Sequence, residues 1–214
     1  MPLHILDKNI WFPSVEEAME DGLLAMGGDL SVERLLHAYR NGIFPWYEGD
    51  MPLWWCPDPR FILLPNKLFI SKSMQQVMRK KQFHFTIDKS FADVIRNCKK
   101  VLRPGQQGTW ITDEVEIAYN KLHALGHAHS AEAWLDGKLV GGLYGIKMGK
   151  IFFGESMYSH VSNASKFAFI QFVKKLKKEG VVLIDCQVYT SHLESLGAEM
   201  IDRNLFLKIV KENI

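Results

Sequence analysis

The chain has 214 residues, of which 47% are hydrophobic, 12% aromatic and 23% charged, with a formal net charge of +2. This length and apolar content exclude a disordered chain and support a substantial core in one domain or two small ones. There is no run of about 18 uncharged apolar residues and no apolar stretch in residues 1–10, so neither a spanning helix nor a signal peptide is expected, and a cytoplasmic location is.

Ser31 is the expected cap of an amphipathic helix running to about Arg40, with Leu35, Leu36 and Tyr39 at helical spacing and Asn41-Gly42 as its stop. The segment after it, from Phe44-Pro45-Trp46-Tyr47 to Pro57-Asp58-Pro59-Arg60, holds three tryptophans and four prolines in 17 residues. Two readings are open: a tryptophan-rich mini-core, or a rigid platform with aromatic faces free for stacking. Composition shifts near Phe61, which divides the chain into a small α/β domain (residues 1–61) and a larger domain (residues 62–214). Residues 61–70 read as a strand broken by Pro65-Asn66. Ser71 or Ser73 then caps a segment carrying Lys72, Arg79, Lys80 and Lys81 without an acid. That charge run is either a solvated face or a set of phosphate contacts, and since +2 is too small to announce a nucleic acid, such clustering has to carry the claim.

A helix is expected over residues 91–100, then the loop Arg103-Pro104-Gly105-Gln106-Gln107-Gly108. Trp110 precedes a helix over residues 113–125, capped by Thr112 and closed by Gly126, with Val115, Ala118, Tyr119 and Leu122 on its apolar face. His123, His127 and His129 follow, but Gly126 breaks the helical i, i+4 geometry, so no metal site is expected. Cys56, Cys98 and Cys186 are far apart and odd in number, which suits reduced structural thiols.

Residues 130–135, the Asp136-Gly137 turn and residues 138–147 form a hairpin by turn chemistry, and Met148-Gly149 leads into another strand over residues 150–154. A short turn, Gly154-Glu155-Ser156-Met157-Tyr158, precedes a helix over residues 163–179 and an apolar strand over residues 181–187. A short helix (residues 191–196), a strand (residues 198–201) and a final helix from Asn204 complete the chain. Glu155, Asp185 and Gln187 stand where these elements end, on a largely apolar surface, and mark the candidate active site. The fold class is α+β, with a mixed, mostly antiparallel central sheet flanked by helices. This order of elements is similar to the acyltransferase architecture of acetyl-CoA-dependent N-acetyltransferases. Those enzymes hold pyrophosphate in a glycine-rich loop at the start of the central helix. Here the corresponding run, Met157-Tyr158-Ser159-His160-Val161-Ser162-Asn163-Ala164, contains no glycine. A serine hydrolase is disfavoured too, because Gly154-Glu155-Ser156-Met157-Tyr158 lacks the second glycine of a nucleophile elbow.

The runs Gly141-Gly142-Leu143-Tyr144-Gly145, Phe152-Phe153-Gly154-Glu155-Ser156-Met157 and Leu183-Ile184-Asp185-Cys186-Gln187 closely resemble those of the leucyl/phenylalanyl-tRNA-protein transferases. The resemblance extends from Phe12-Pro13 to about Arg203. It implies transfer of leucine, phenylalanine and, less well, methionine from aminoacyl-tRNA to acceptor proteins beginning with Arg or Lys, which marks them for degradation under the N-end rule. It implies no cofactor, no metal, no membrane partner and a monomer. Residue by residue, it implies that Trp46 and Trp110 hold the 3′-terminal adenosine with Tyr39 and Tyr119 nearby, and that Leu143, Phe152, Met157, Phe169, Phe172 and Ile184 line the aminoacyl side-chain pocket. Lys72, Arg79 and Lys80 would meet tRNA phosphates. Glu155 would face the acceptor's basic side chain, while Asp185 with Gln187 would orient or deprotonate its α-amine. Two departures stand out. Gln75 and Gln76 are neutral where the family is more basic, which lowers the expected number of phosphate contacts, and Leu143 replaces a methionine, which bears on donor ranking.

The chemistry needs no enzyme nucleophile if the donor is an ester. An α-amine with an ordinary pKa of about 7.7–8.0 is partly deprotonated near neutrality, and orientation of reactants alone is worth about 7–11 kcal/mol. A CoA-dependent N-acetyltransferase and a non-catalytic tRNA-binding module are the alternatives.

Overall fold

In the computed structural model, which describes residues 3–101 and 109–214, the first third of the chain builds a small sheet. Strands β1 (His4–Leu6), β2 (Leu23–Gly27), β3 (Phe44–Pro45) and β4 (Leu53–Trp55) lie in the order β1-β2-β4-β3. Helix α1 (Val32–Arg40) packs against them; its cap is Ser31, whose Oγ accepts the Arg34 N–H, and it buries Leu35, Leu36, Ala38 and Tyr39. The expected loop at residues 103–108 lies outside the described residues.

The main sheet runs β11-β5-β10-β9-β8-β7-β6. Its strands are β5 (Arg60–Leu63), β6 (His84–Ile87), β7 (Ala128–Leu135), β8 (Lys138–Met148), β9 (Ile151–Ser159), β10 (Leu183–Gln187) and β11 (Glu199–Ile201), with helices α2 (Lys72–Arg79), α3 (Phe91–Lys100), α4 (Asp113–Ala124), α5 (Ala164–Lys178), α6 (Ser191–Glu194) and α7 (Arg203–Asn213) between and after them. Every neighbouring pair is antiparallel except β9 and β10, which are parallel and joined through α5. This is the expected α+β architecture with a mixed central sheet. Two local expectations change. Residues 61–70 contain only the short β5, which begins at Arg60. Residues 154–158 are not a turn: they continue β9 through a β-bulge.

The bulge decides which side chains reach which layer. Tyr144 of β8 pairs with Ser156 and Gly145 with Gly154, so Glu155 is the extra residue. Before it, Phe152 packs toward α5 and Phe153 toward the opposite cluster of α1, α3 and α4. In an unbroken strand Glu155 and Met157 would share one face. The inserted residue shifts the phase, so Met157 joins Leu143 and Phe152 on the α5 face while Glu155 turns toward Tyr39 and Tyr119. Two glycines of β8 permit the close approach. A Cβ on Gly145 would lie 2.2 Å from the Phe153 carbonyl oxygen, and one on Gly141 would lie 2.7 Å from the Ala164 Cβ at the start of α5. The two sheets share one hydrophobic cluster that runs from Leu24 and Tyr39 through Tyr119 and Tyr144 to Phe206.

Candidate active site

Pairing between the parallel strands β9 and β10 ends at Phe153 and Asp185. Beyond that point the strands part, and Glu155 and Gln187 face each other across the opening: Gln187 Nε2 donates to Glu155 Oε1 at 3.0 Å. The same carboxyl takes the Tyr39 hydroxyl on Oε1 at 2.7 Å and the Tyr119 hydroxyl on Oε2 at 3.0 Å, and those two hydroxyls are 2.5 Å apart. Burial pushes the Glu155 carboxyl up to about 8, against the three donors, which pull it down. Both phenols are held well above their ordinary range, first by burial and then by the carboxylate.

Asp185 is fully buried with Arg60, whose Nε donates to Oδ1 at 2.8 Å and whose Nη2 donates to Oδ2 at 2.6 Å. Oδ1 also accepts the Gln187 backbone N–H at 2.9 Å. The resemblance gave Asp185 with Gln187 as the pair that orients or deprotonates an α-amine; in the structure Asp185 borders the cavity, while its side chain is buried and both oxygens are engaged by Arg60 and the Gln187 N–H. It orders Gln187, which sits at φ +64° where β10 bulges against β5. With Nε2 committed to Glu155, the Gln187 amide oxygen is the atom left to accept a hydrogen bond.

A cavity of about 740 Å³ opens over these groups. Five of the six expected pocket residues line it, namely Leu143, Phe152, Met157, Phe169 and Ile184, and Trp46 and Trp110 line it as well. Phe172 does not: it stands edge-on behind Phe152, ring centroids 4.9 Å apart, and supports the wall. Tyr39 and Tyr119, expected beside the tryptophans, are wholly buried beneath Glu155 and do not border the cavity. Trp46 is 38% exposed, its backbone N–H tied to the Leu53 carbonyl and its carbonyl accepting from the Trp55 indole. Lys72 and Arg79 on α2 and Lys80 at its C-terminal cap are exposed, do not line the cavity, and form no ion pair among the described residues. His123 stacks on Phe91 and bonds the Ala128 carbonyl, and His129 bonds Asp88.

Sequence reasoning missed Arg60 and the segment after β10, where Tyr189, Thr190, His192 and Leu193 also line the cavity. A signal existed for each. Arg60 is the lone charge heading an apolar strand and needs a buried acid, and Asp185 is the lone charge in another. The residues beyond Gln187 leave the carboxyl end of a parallel strand, the usual place for a ligand crevice. At the start of α5, Ser159 Oγ accepts the Ser165 N–H at 3.2 Å and donates to the Val161 carbonyl, so the chain itself occupies part of what would be an anion site.

Residues 62–211 match the family described as leucyl/phenylalanyl-tRNA protein transferase, and residues 28–58 match that family's N-terminal domain. The chain is similar to the leucyl/phenylalanyl-tRNA--protein transferase of Syntrophus aciditrophicus, 55% identical over 215 residues that cover 100% of this chain and 90% of that protein. It is likewise 55% identical to the Flavobacterium johnsoniae enzyme of the same name over 210 residues, 98% of this chain and 99% of the relative. Among solved structures FemX superimposes with a TM-score of 0.51 at 11% identity, over 84% of this chain and 71% of that one, a likeness of fold alone. With both of its segments matched and full-length relatives at this identity, the chain belongs to the leucyl/phenylalanyl-tRNA protein transferase family.

Proposed function

We propose that this aminoacyltransferase moves leucine, phenylalanine and, less well, methionine from aminoacyl-tRNA onto acceptor proteins beginning with Arg or Lys. The observation that carries this reading is the meeting, at the parting of β9 and β10, of an apolar cavity with the Glu155–Gln187 pair, with Trp46 and Trp110 on the same walls. Leu143, Phe152, Met157, Phe169 and Ile184 take the donor side chain, with Phe172 as backing. Trp46 and Trp110 stack the terminal adenosine, an interaction worth about 1–3 kcal/mol per base. Lys72, Arg79 and Lys80 meet phosphates of the tRNA body.

The acceptor's α-amine attacks the ester carbonyl; a C–N bond forms, the C–O bond to the ribose breaks, and the ribose oxygen receives the proton the amine gives up. The Gln187 amide oxygen accepts a hydrogen bond from that amine and aims its lone pair, Asp185 holds Gln187 from behind, and Glu155 pairs with the acceptor's basic side chain. No enzyme nucleophile is required, since the ester is already activated and orientation supplies the acceleration. Residues 1–61 and 62–214 act as two lobes of one monomeric catalyst working in the cytoplasm; no helix among the described residues is long and apolar enough to cross a membrane.

The test is transfer of labelled leucine from leucyl-tRNA to a peptide beginning with Arg, without CoA, by the natural chain and by Gln187→Ala. Transfer that falls sharply in kcat, with leucyl-tRNA binding retained, is expected. Binding of tRNA with no transfer by the natural chain, or transfer of acetyl from acetyl-CoA instead, would overturn the reading.

A further inference from the structure

Arg60 opens β5 and is wholly buried; it does not itself line the cavity, but Asp185 and Phe44, both of which it touches, do. Its fork grips both Asp185 oxygens at 2.8 and 2.6 Å. Its guanidinium is clasped between two rings, with the central carbon 4.7 Å from the Phe44 centroid and 4.6 Å from that of Phe206. Nη1 has no hydrogen-bond acceptor among the described residues, so those ring faces are the partners on its remaining sides. Phe44 belongs to β3, two residues before Trp46, and Phe206 belongs to α7. On the far side of the pair, Asp185 Oδ1 accepts the N–H of Gln187, a residue held in the left-handed region, and Gln187 in turn reaches Glu155.

We propose that Arg60 is a positioning residue for acyl transfer: acting through Asp185 it fixes the β10 bulge and the direction of the Gln187 amide, and through Phe44 it locks that setting to the strand leading to Trp46. The proposal rests on the reading of Gln187 as the group that aims the amine. A left-handed glutamine at a bulge has no backbone preference for its position and needs an outside constraint. Asp185 supplies that constraint only while its carboxylate is oriented, and a planar two-pronged donor orients a carboxylate where a point charge does not.

The discriminating variant is therefore Arg60→Lys, which keeps the charge and loses the fork. It is compared with Gln187→Ala and with the double variant in a kinetic cycle, using leucyl-tRNA and an Arg-starting peptide, with folding checked by circular dichroism. Arg60→Lys is expected to lower kcat about tenfold to hundredfold, the scale of a misplaced catalytic group, with the KM for leucyl-tRNA within about threefold of the natural value. Because Arg60 works through Gln187, the double variant should be little worse than Gln187→Ala alone. Should Arg60→Lys not fold, Asp185→Asn takes its place in the same cycle, since its amide oxygen still accepts the Gln187 N–H but gives the fork a neutral partner. Additive losses, or an unchanged kcat in a folded Arg60→Lys protein, overturn the proposal while leaving the role of Gln187 intact. Full turnover by Gln187→Ala overturns both.

Discussion

Tyr39, Tyr119 and Glu155 make three oxygen-to-oxygen contacts among themselves, and the two phenols have only two hydrogens to place in them. The third contact is satisfied when the carboxyl carries a proton, which agrees with burial raising it from 4.5 to about 8. At pH 7 about one carboxyl in ten is then ionised. A basic acceptor side chain pairs with the ionised form, so its binding expels the proton. The KM for an Arg-starting peptide should fall about tenfold per unit of rising pH below about 8 and level off above it. Glu155→Gln should flatten that dependence, and a natural enzyme with a flat profile would contradict the assignment. The stability effect has the opposite sense. A carboxyl raised in the folded state binds more protons than in the unfolded chain between its two pKa values, so its contribution declines as pH rises from 4.5 toward about 8. The melting temperature of Glu155→Gln should accordingly gain on that of the natural chain across this window.

Two other residues show where reading by composition stops. Trp54 and Trp46 lie in the same tryptophan- and proline-rich stretch, and the sequence leaves both the core reading and the stacking reading open. The core reading holds for Trp54, and Trp46 stands where the proposed stacking would need it. Trp54 is wholly buried with its indole N–H on the Gly27 carbonyl at 2.9 Å, whereas Trp46 presents its ring at the cavity. Trp54→Ala should cost about 3–5 kcal/mol of stability by opening a core cavity. Trp46→Ala should leave the melting temperature nearly unchanged and weaken aminoacyl-tRNA binding by about 1–3 kcal/mol. Equal effects of the two on stability would place Trp46 in the core after all.

At the scale of elements, the hairpins and helices around the site were legible because Asp136-Gly137, Met148-Gly149, Thr112 and Gly180 punctuate long periodic runs. The β9 bulge was not. A single inserted residue leaves the local pattern of apolar side chains readable as a turn, and only the register against β8 reveals that Tyr144 and Gly145 face three residues of β9. Gly145 is the partner that makes room, and its backbone is not in the left-handed region, so alanine there meets a steric obstacle alone. Its Cβ would fall 2.2 Å from the Phe153 oxygen and 2.5 Å from the Phe152 ring, with backbone on one side and a cavity-lining ring on the other. Gly145→Ala should lose about 1–3 kcal/mol of stability as an overpacked site. It should also lower turnover more than tRNA binding, because the strain falls on the residues that aim Glu155. A variant with natural stability and turnover would mean that the bulge tolerates movement and does not set the site.

For the whole molecule, the strands of the main sheet were legible except β6, and the small α/β domain was expected without its strands being placed, since β1, β3 and β4 have two or three residues each, too few for alternation to show. The short strands matter because they do not stand apart. Leu24, Tyr39, Phe44 and Trp54 from the small lobe share one cluster with Tyr119, Tyr144, Phe153 and Phe206 from the large one. The buried Arg60–Asp185 pair lies within this junction, with a ring from each lobe against the guanidinium. Separating the lobes would expose that apolar surface and strip the ion pair of its ring partners, so opening the junction is coupled to melting the large sheet. The tryptophans make this measurable, because Trp11, Trp46, Trp54 and Trp55 lie in the small lobe and Trp110 and Trp134 in the large one, whereas most helix signal comes from the large lobe. Unfolding in urea followed by tryptophan fluorescence should coincide with unfolding followed by far-ultraviolet circular dichroism, with one midpoint and one slope. A fluorescence transition that precedes loss of helix would show that the small lobe detaches first, and a shared core could then not be what keeps Trp46 in register with Gln187.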